Sequence, residues 1–385
     1  MSQSPARSIR SLLITGGAGF IGTNFIRLIL AEHPEVEVFN LDALSYAGNL
    51  DNLAGLDGIY PGKYHFIHAD IRDEKEVKRA LSLAQPDTVV NFAAESHVDR
   101  SIDTPLVFVE TNVLGTTILL EACRRTWKNW DDVRFHQVST DEVYGSLGST
   151  GLFREDTPYA PSSPYSASKA GGDHLVRAWG RTFSLSVSIS HSSNNYGPWQ
   201  FPEKLIPLMI ANALDGILLP VYGQGTNIRD WLHVEDHCRA IWEIITRGAA
   251  GSAYNVGGDN EWSNLELIRL LCSRLDALRP RSAGSYAALI TFVPDRPGHD
   301  ARYAVDSSRL RQELGWCPRF DFRQGLDMTI AWYLDHQDWV RTIRTGKYAG
   351  DRLGLRAGTG QDGSRNGGDA ASGKILRCPN AGCGK

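Results

Sequence analysis

Ser11-Leu12-Leu13-Ile14-Thr15-Gly16-Gly17-Ala18-Gly19-Phe20-Ile21-Gly22 decides how the rest of the chain is read. The first five residues are a short apolar run, the pattern of a buried strand. Three glycines follow at G-x-x-G-x-x-G spacing: Gly16, Gly19 and Gly22. Strand, tight turn and helix in that order suit a pyrophosphate. The first glycine permits the turn, the second admits the ligand close to the backbone, and the third lets helix and strand pack. The N–H groups and positive dipole end of the helix then face the phosphates. A second apolar run, residues 36–41, ends at Asp42, twenty residues past Gly22. An acid at that point binds a ribose diol and repels an added 2′-phosphate, so the reading predicts NAD over NADP.

The alternation continues. Residues 64–68 read as a strand followed by Asp70, and 74–84 as a helix. Residues 87–92 read as a strand ending in Ala93-Ala94, small enough for a nucleotide to lie against the strand end. Residues 105–127 carry a long helical pattern, 133–138 a strand running into Thr140, 164–183 a helix opened by Pro164, and 185–190 a further strand. This predicts an α/β fold, a Rossmann-type doubly wound parallel sheet. Ligands bind beyond the carboxyl ends of such strands. Gly16, Asp42, Asp70, Ala93 and Thr140 all fall there, so they are expected to converge. From residue 196 Gly and Pro punctuate shorter segments. The expected organisation is an NAD-binding domain over 1–195, to which some later segments return, and a smaller mixed α/β C-terminal substrate domain over 196–348. Residues 349–385 form a tail rich in Gly, Ser and Asp with little apolar content, expected to be disordered.

Composition excludes several classes. The chain has 385 residues, 42% hydrophobic and 22% charged, as in a soluble protein with a substantial core. A net charge of −4 and a pI of about 6.3 give no reason to expect nucleic acid as a partner. No apolar run reads as a membrane span, and residues 1–10 are polar, without an apolar signal core. Six cysteines are scattered without a disulfide or metal framework, Cys378 and Cys383 lacking a second pair. A reducing cytoplasm is the expected location, and no metal is expected.

The chemistry sits between Ser139 and Lys169. Ser139-Thr140-Asp141-Glu142-Val143-Tyr144-Gly145 puts a hydroxyl and two carboxyl groups in a row at a strand end. Neighbouring carboxyls repel each other's charge, so one can stay protonated as an acid while the other serves as a base. Tyr165-Ser166-Ala167-Ser168-Lys169 puts a phenol and an ammonium on one helix face, an arrangement expected to lower the Tyr165 pKa and make it a base. An acid and two bases together point to oxidation plus elimination. Later in the chain Lys204, Arg229 and Arg296 are cations that would form a diphosphate clamp if they converged on the cleft.

The motifs G-G-A-G-F-I-G, L-D-A-L-S-Y-A-G-N-L, A-A-E-S-H-V-D-R-S-I, S-T-D-E-V-Y-G, Y-S-A-S-K, S-N-N-Y-G-P, F-P-E-K-L-I-P, R-D-W-L-H-V-E-D-H and R-P-G-H-D occur in that order. Together they resemble the dTDP-glucose 4,6-dehydratases, an extended branch of the short-chain dehydrogenase/reductase superfamily, over residues 9–348. The resemblance implies NAD-dependent conversion of dTDP-glucose to dTDP-4-keto-6-deoxyglucose. It implies that Tyr165 takes the 4-hydroxyl proton, Thr140 hydrogen-bonds that oxygen, and Lys169 holds the cofactor ribose. Glu142 would remove the C5 proton and Asp141 would protonate the leaving 6-hydroxyl. Phe20, Ile21, Asp42, Ala43, Leu44, Ser45, Asp70, Ile71, Ala93, Ala94, Ser96, Asn112 and Asn194 are implied as further NAD contacts. His97, Asn195, Lys204, Leu205, Tyr222, Arg229, Asn264, Arg296 and His299 are implied as nucleotide-sugar contacts. Relatives are usually homodimers, and the striped helices 105–127 and 164–183 could pair with a second copy. His191 departs from the pattern, which has Arg or Asn there.

Two other readings compete: a UDP-linked 4,6-dehydratase or a nucleotide-sugar epimerase or decarboxylase on the same fold, and an NAD-binding protein without activity. Epimerases and decarboxylases need the Tyr and Lys but not the Asp-Glu pair. The presence of all five reactive side chains argues against a binding protein.

Overall fold

The computed structural model describes residues 6–130, 132–295 and 299–346. The expectations for Arg296, for the tail 349–385 and for Cys378 and Cys383 lie outside the described residues. Ten strands come first in chain order: β1 (Ser11–Thr15), β2 (Glu37–Asp42), β3 (Tyr64–His68), β4 (Thr88–Asn91), β5 (Arg134–Thr140), β6 (Val187–Ser192), β7 (Asn194–Tyr196), β8 (Leu219–Tyr222), β9 (Ile228–His233) and β10 (Ala253–Val256). Seven of them build one sheet in the order β10-β6-β5-β4-β1-β2-β3. Every pair in it is parallel. The direction of winding reverses between β1 and β4, the crevice where such sheets bind ligands.

Side-chain alternation accounts for the two packed faces. Leu13 and Val89 join a cluster with Leu119, Phe135 and Val176. Their neighbours Leu12, Ile14 and Val90 point the other way, to Phe25, Ile26 and Ile241. Both faces being covered, β1 and β4 are apolar at their centres, Leu12-Leu13-Ile14 and Val89-Val90. Register aligns their carboxyl ends. Thr15 lies opposite Leu41 and Asn91, and Thr140 lies opposite Ser192.

The glycine turn works as read, with one refinement. Gly16 has φ +72°, and a Cβ there would lie 2.6 Å from the Ala93 nitrogen. A Cβ on Gly22 would lie 2.5 Å from the Gly16 oxygen and 2.7 Å from the Gly17 Cα, so the third glycine packs its helix, Phe20–Glu32, onto the turn itself.

The 105–127 pattern is not one regular helix. Helices Pro105–Val109 and Thr116–Thr126 are joined by a π turn, Glu110–Gly115. Over Pro105–Thr126 the run is long and apolar enough to span a membrane, contrary to the expectation that no run would be. Much of its apolar surface faces the core instead, through Phe108, Leu119, Leu120 and Cys123. Leu106, Val109 and Leu114 remain exposed.

Past residue 196, β9 pairs with β7, with β11 (Glu261–Ser263) and with β13 (Arg302–Tyr303), while β8 pairs with β12 (Ile290–Val293). These small sheets and the helices Leu205–Leu214, Asn264–Leu278 and Phe322–Asp335 enclose a separate cluster that includes Ile206, Met209, Leu271, Leu326 and Ile330. β10 returns to the edge of the large sheet.

Gly22→Ala should cost about 1–3 kcal/mol, because backbone has to shift to admit the methyl group. Gly58, in the helix Leu56–Ile59, has open space around its Cβ position. Gly58→Ala should therefore raise stability by about 0.5–1 kcal/mol. Urea midpoints of the two variants falling together would contradict this reading of the turn.

Candidate active site

A cleft of about 320 Å³ opens along the carboxyl ends of the strands. Most of the expected residues line it: Gly16, Gly19, Phe20, Ile21, Gly22, Asp42, Ala43, Ser45, Asp70, Ile71, Ala93, Ala94, Ser96, Thr140, Asp141, Glu142, Tyr165, Lys169, Asn194, Asn195 and Lys204. They come from β1 through β7 and the helices between, which is what parallel strands of common register produce.

The reacting groups are held from two sides. Thr140 ends β5 and caps the short turn Asp141–Tyr144, its hydroxyl accepting from the Glu142 N–H at 3.3 Å. Ser163 opens the helix Pro164–Phe183 with a reciprocal capping box to Ser166, which fixes the first turn where Tyr165 sits. Asp141 is 2% exposed, and its Oδ2 is buried without a hydrogen-bond partner. Burial raises its pKa well above the usual carboxylate range; Glu142 and Asp230 raise it further against the pull of Arg229. Its surroundings therefore favour the protonated form, the state a general acid needs.

Tyr165 corrects an expectation. Its phenol pKa is raised, not lowered, first by burial and then by Glu142, while a hydrogen bond with Thr140 pulls the other way. Lys169 does not offset this. Its Nζ donates to the Val138 carbonyl at 2.8 Å, and burial lowers its own pKa against the attraction of Asp173. Positive charge brought beside the ring is what would turn the phenol into a base.

A buried polar network stands behind these groups. Asp173 Oδ2 accepts from the hydroxyls of Ser139 at 2.6 Å and Tyr159 at 3.2 Å. His191 is fully buried between Tyr159, 2.6 Å from Nε2, and Tyr144, 3.2 Å from Nδ1. The unexpected histidine therefore ties β6 to the turn that carries Asp141 and Glu142.

Asn112 and His97 are placed differently from expectation. Asn112 sits in the π turn behind the cleft wall. Its amide donates to the Glu95 carbonyl at 3.0 Å and the Ser168 hydroxyl at 2.8 Å, and accepts from the Glu95 N–H at 2.9 Å. It positions the 94–96 segment and is no part of the cleft lining. His97 is a buried helix cap, its Nδ1 accepting from the Arg100 N–H at 3.4 Å.

Of the three cations expected to clamp a diphosphate, Lys204 lines the cleft, Arg229 does not, and Arg296 lies outside the described residues. Lys204 lines the cleft and donates to the Ser96 carbonyl at 3.2 Å. Arg229 lies in β9 and donates to the carbonyls of Ile228 and Asp300, with its guanidinium 4.3 Å from the Tyr303 ring centre. Tyr222 and His299 stand edge to face at 6.2 Å, with His299 Nδ1 2.7 Å from Asp295 Oδ1. Asn264 opens the helix Asn264–Leu278, and Leu205 packs on the second core. Leu44, Leu205, Tyr222, Arg229, Asn264 and His299 are not among the cleft-lining residues.

Residues that sequence reasoning passed over also line the cleft. Arg72 forks onto Asp70, with Nε and Nη2 at 3.0 and 2.7 Å from Oδ2. Glu203, in F-P-E-K, accepts from the Tyr46 hydroxyl at 2.8 Å; burial raises its pKa. A carboxylate beside Lys204 in the F-P-E-K-L-I-P motif was the available signal for Glu203.

The cleft fits a dinucleotide. The Phe20–Glu32 helix begins at Gly19 with no side-chain cap, leaving its first N–H groups to a ligand. A Cβ on Gly19 would meet only the Gly16 oxygen, at 3.3 Å. Asp42 is fixed at the end of β2 by the N–H groups of Ala18 at 2.9 Å and Leu44 at 2.7 Å. Leu44 takes a left-handed φ of 51° to make that contact.

Comparison with known proteins agrees with this geometry. The family model described as GDP-mannose 4,6 dehydratase matches residues 13–329. The chain is 54% identical over 348 residues to the dTDP-glucose 4,6-dehydratase of Xanthomonas campestris pv. campestris, covering 89% of this chain and 98% of that one. The dTDP-glucose 4,6-dehydratase of Streptomyces venezuelae, solved with NAD bound, is similar at 46% identity and a TM-score of 0.79, over 86% of this chain and 99% of that one. A UDP-glucose 4-epimerase of Thermus thermophilus, also solved with NAD, is similar at 28% identity and a TM-score of 0.74, over 84% and 99%.

The raised Asp141 pKa has a consequence for stability. The native state keeps a proton on Asp141 that the unfolded chain gives up near the ordinary value of 3.8. Stability from this group is complete below that value and is lost as pH rises toward the native pKa. Asp141→Asn should therefore raise the melting temperature at pH 8 and change it least at pH 4, while abolishing turnover. An equal shift at both pH values would contradict the protonated assignment.

Proposed function

The chain belongs to the dTDP-glucose 4,6-dehydratases, and from that premise we propose how its side chains divide the reaction. The enzyme is NAD-dependent and converts dTDP-glucose to dTDP-4-keto-6-deoxyglucose. Gly16, Gly19, Gly22, Asp42 and Lys169 hold the cofactor. Bound NAD would supply the hydride acceptor for oxidation at C4 and, once reduced, the hydride donor for C6. Tyr165 receives the 4-hydroxyl proton and Thr140 hydrogen-bonds the same oxygen. The resulting ketone acidifies the C5 hydrogen, which Glu142 removes. Asp141 delivers its proton to the departing 6-hydroxyl. Elimination needs an acid and a base on neighbouring carbons, and adjacent residues at one strand end supply them.

The observation that carries this reading is a buried carboxyl, Asp141, with one oxygen lacking a hydrogen-bond partner, beside Glu142 and in one cleft with Tyr165. Residues 1–195 would form the cofactor-binding part and 196–348 the nucleotide-sugar part. Support for that division comes from the separate hydrophobic cluster of the later segment.

The partner proposed beyond the substrate is a second copy of the chain. Leu106, Val109 and Leu114 form an exposed apolar stripe on the Pro105–Thr126 run. A twofold copy rather than lipid is proposed to cover it. The cytoplasm is the proposed location, supported by unpaired Cys123, Cys238 and Cys272.

Incubation with dTDP-glucose should give a product lighter by one water; an isomer of unchanged mass would indicate epimerisation. UDP-glucose should be turned over far less well, and equal rates would overturn the nucleotide assignment. Glu142→Gln should slow elimination while sparing oxidation, so absorbance of reduced cofactor accumulates on the enzyme. Failure of that absorbance to appear would place Glu142 in the first step. Tyr165→Phe should lose oxidation itself.

A further inference from the structure

We infer that a second cavity, at the opposite edge of the large sheet from the active site, is a binding site for an anion carrying more than one phosphate group. The cavity, of about 430 Å³, is lined by Arg134, Arg177 and Arg181 with Trp130, Ser184 and Ser186. Arg134 is the first residue of β5, whereas the active-site Thr140 is the last of its seven residues. At about 3.3 Å per residue the two ends lie roughly 20 Å apart. Ser186 immediately precedes β6, and Gly251, also in the lining, lies just ahead of β10. The amino ends of three adjacent strands thus form the floor.

Charge is what distinguishes this cavity. Three arginines line it and no carboxylate does. Among the described residues none of the three arginines forms an ion pair. Arg134 is only 5% exposed. Its Nε donates to the Ser186 hydroxyl at 3.1 Å and its Nη1 to the Gly248 carbonyl at 3.0 Å. Both acceptors are neutral, and neutral acceptors leave the cost of burying a full charge largely uncompensated. Burial, with Arg7 as a further cation nearby, pushes the Arg134 pKa down to about 10. Arg177 donates through Nη2 to the Tyr159 hydroxyl at 3.1 Å, while its Nε is buried with no acceptor. Such a group costs free energy until something accepts from it.

The ordinary explanation covers one of the three. Arg181 lies in the last turn of the helix Pro164–Phe183, where a cation complements the negative dipole end. It does not account for Arg134 or for the Arg177 Nε. A multiply charged anion supplies what the site lacks, because guanidinium forks match phosphate oxygens and charge-assisted bonds are the strong ones. The volume falls in the range of roughly 300–1,000 Å³ usual for small-molecule sites, enough for a diphosphate with a small organic group.

The test uses enzyme loaded with NAD and saturated with thymidine diphosphate, so that the catalytic cleft is filled. Calorimetric titration with inorganic pyrophosphate should then show one further site per chain. Arg181→Glu, an exposed change, should weaken that binding by about tenfold or more while leaving kcat/KM for dTDP-glucose unchanged. Arg177→Gln should weaken it by a similar factor. Absence of heat with the cleft saturated, or unchanged affinity in the Arg181→Glu and Arg177→Gln proteins, would overturn the site. Citrate binding as tightly as pyrophosphate would overturn its assignment to phosphate.

Discussion

Two carboxyl groups in consecutive residues, placed where little water reaches, cannot both carry charge at low cost. That constraint organises the active site. Asp141 takes the buried place, and burial together with the neighbouring Glu142 pushes it toward its protonated form. A third carboxyl strengthens the arrangement. Asp230, also buried, accepts the N–H groups of Gly258 at 3.0 Å and Asn260 at 2.8 Å and adds negative potential at Asp141. Burial raises the Asp230 pKa to about 6 even so. Gly258 is required for that contact, since a Cβ there would lie 2.1 Å from the Trp231 oxygen. Asp141, just past the end of β5, is thus tuned from β9, in the later half of the chain.

The parallel sheet explains how the remaining groups arrive. A common register brings the ends of β1, β2, β4, β5 and β6 level, so the loops that leave them share one crevice. The helix Pro164–Phe183 then lays Tyr165 and Lys169 across its floor. Its position depends on contacts made well away from the chemistry: Ser168 accepts from Asn112 in the π turn, and Asp173 accepts from Ser139 beside Thr140. The extra residue of the π turn is what presents the Asn112 amide to two segments at once.

Much of this was legible in the sequence because it rests on local rules. The glycine spacing, Asp42, the adjacent Thr140-Asp141-Glu142 and the Tyr165/Lys169 pair each follow from backbone geometry over a few residues. What could not be read depends on long-range placement. Lys169 was expected to activate Tyr165 from its spacing alone, but the ammonium turns to the Val138 carbonyl. His97 and Asn112 carry polar side chains near the cleft, yet His97 caps its own helix and Asn112 bonds to the Glu95 backbone and the Ser168 hydroxyl. Arg229 was read as a clamp cation, and it lies in β9 donating to the Ile228 and Asp300 carbonyls. Periodicity likewise shows a helix over 105–127 but cannot show a single wide turn within it.

The account rests on one protonation state, and isotope-edited infrared spectroscopy of the NAD-bound enzyme measures it directly. With labelled aspartate, a protonated carboxyl band should persist at pH 7 and vanish in the Asp141→Asn protein. If no protonated band at pH 7 is lost in the Asp141→Asn protein, Asp141 is not the acid and the division of labour in the cleft is wrong.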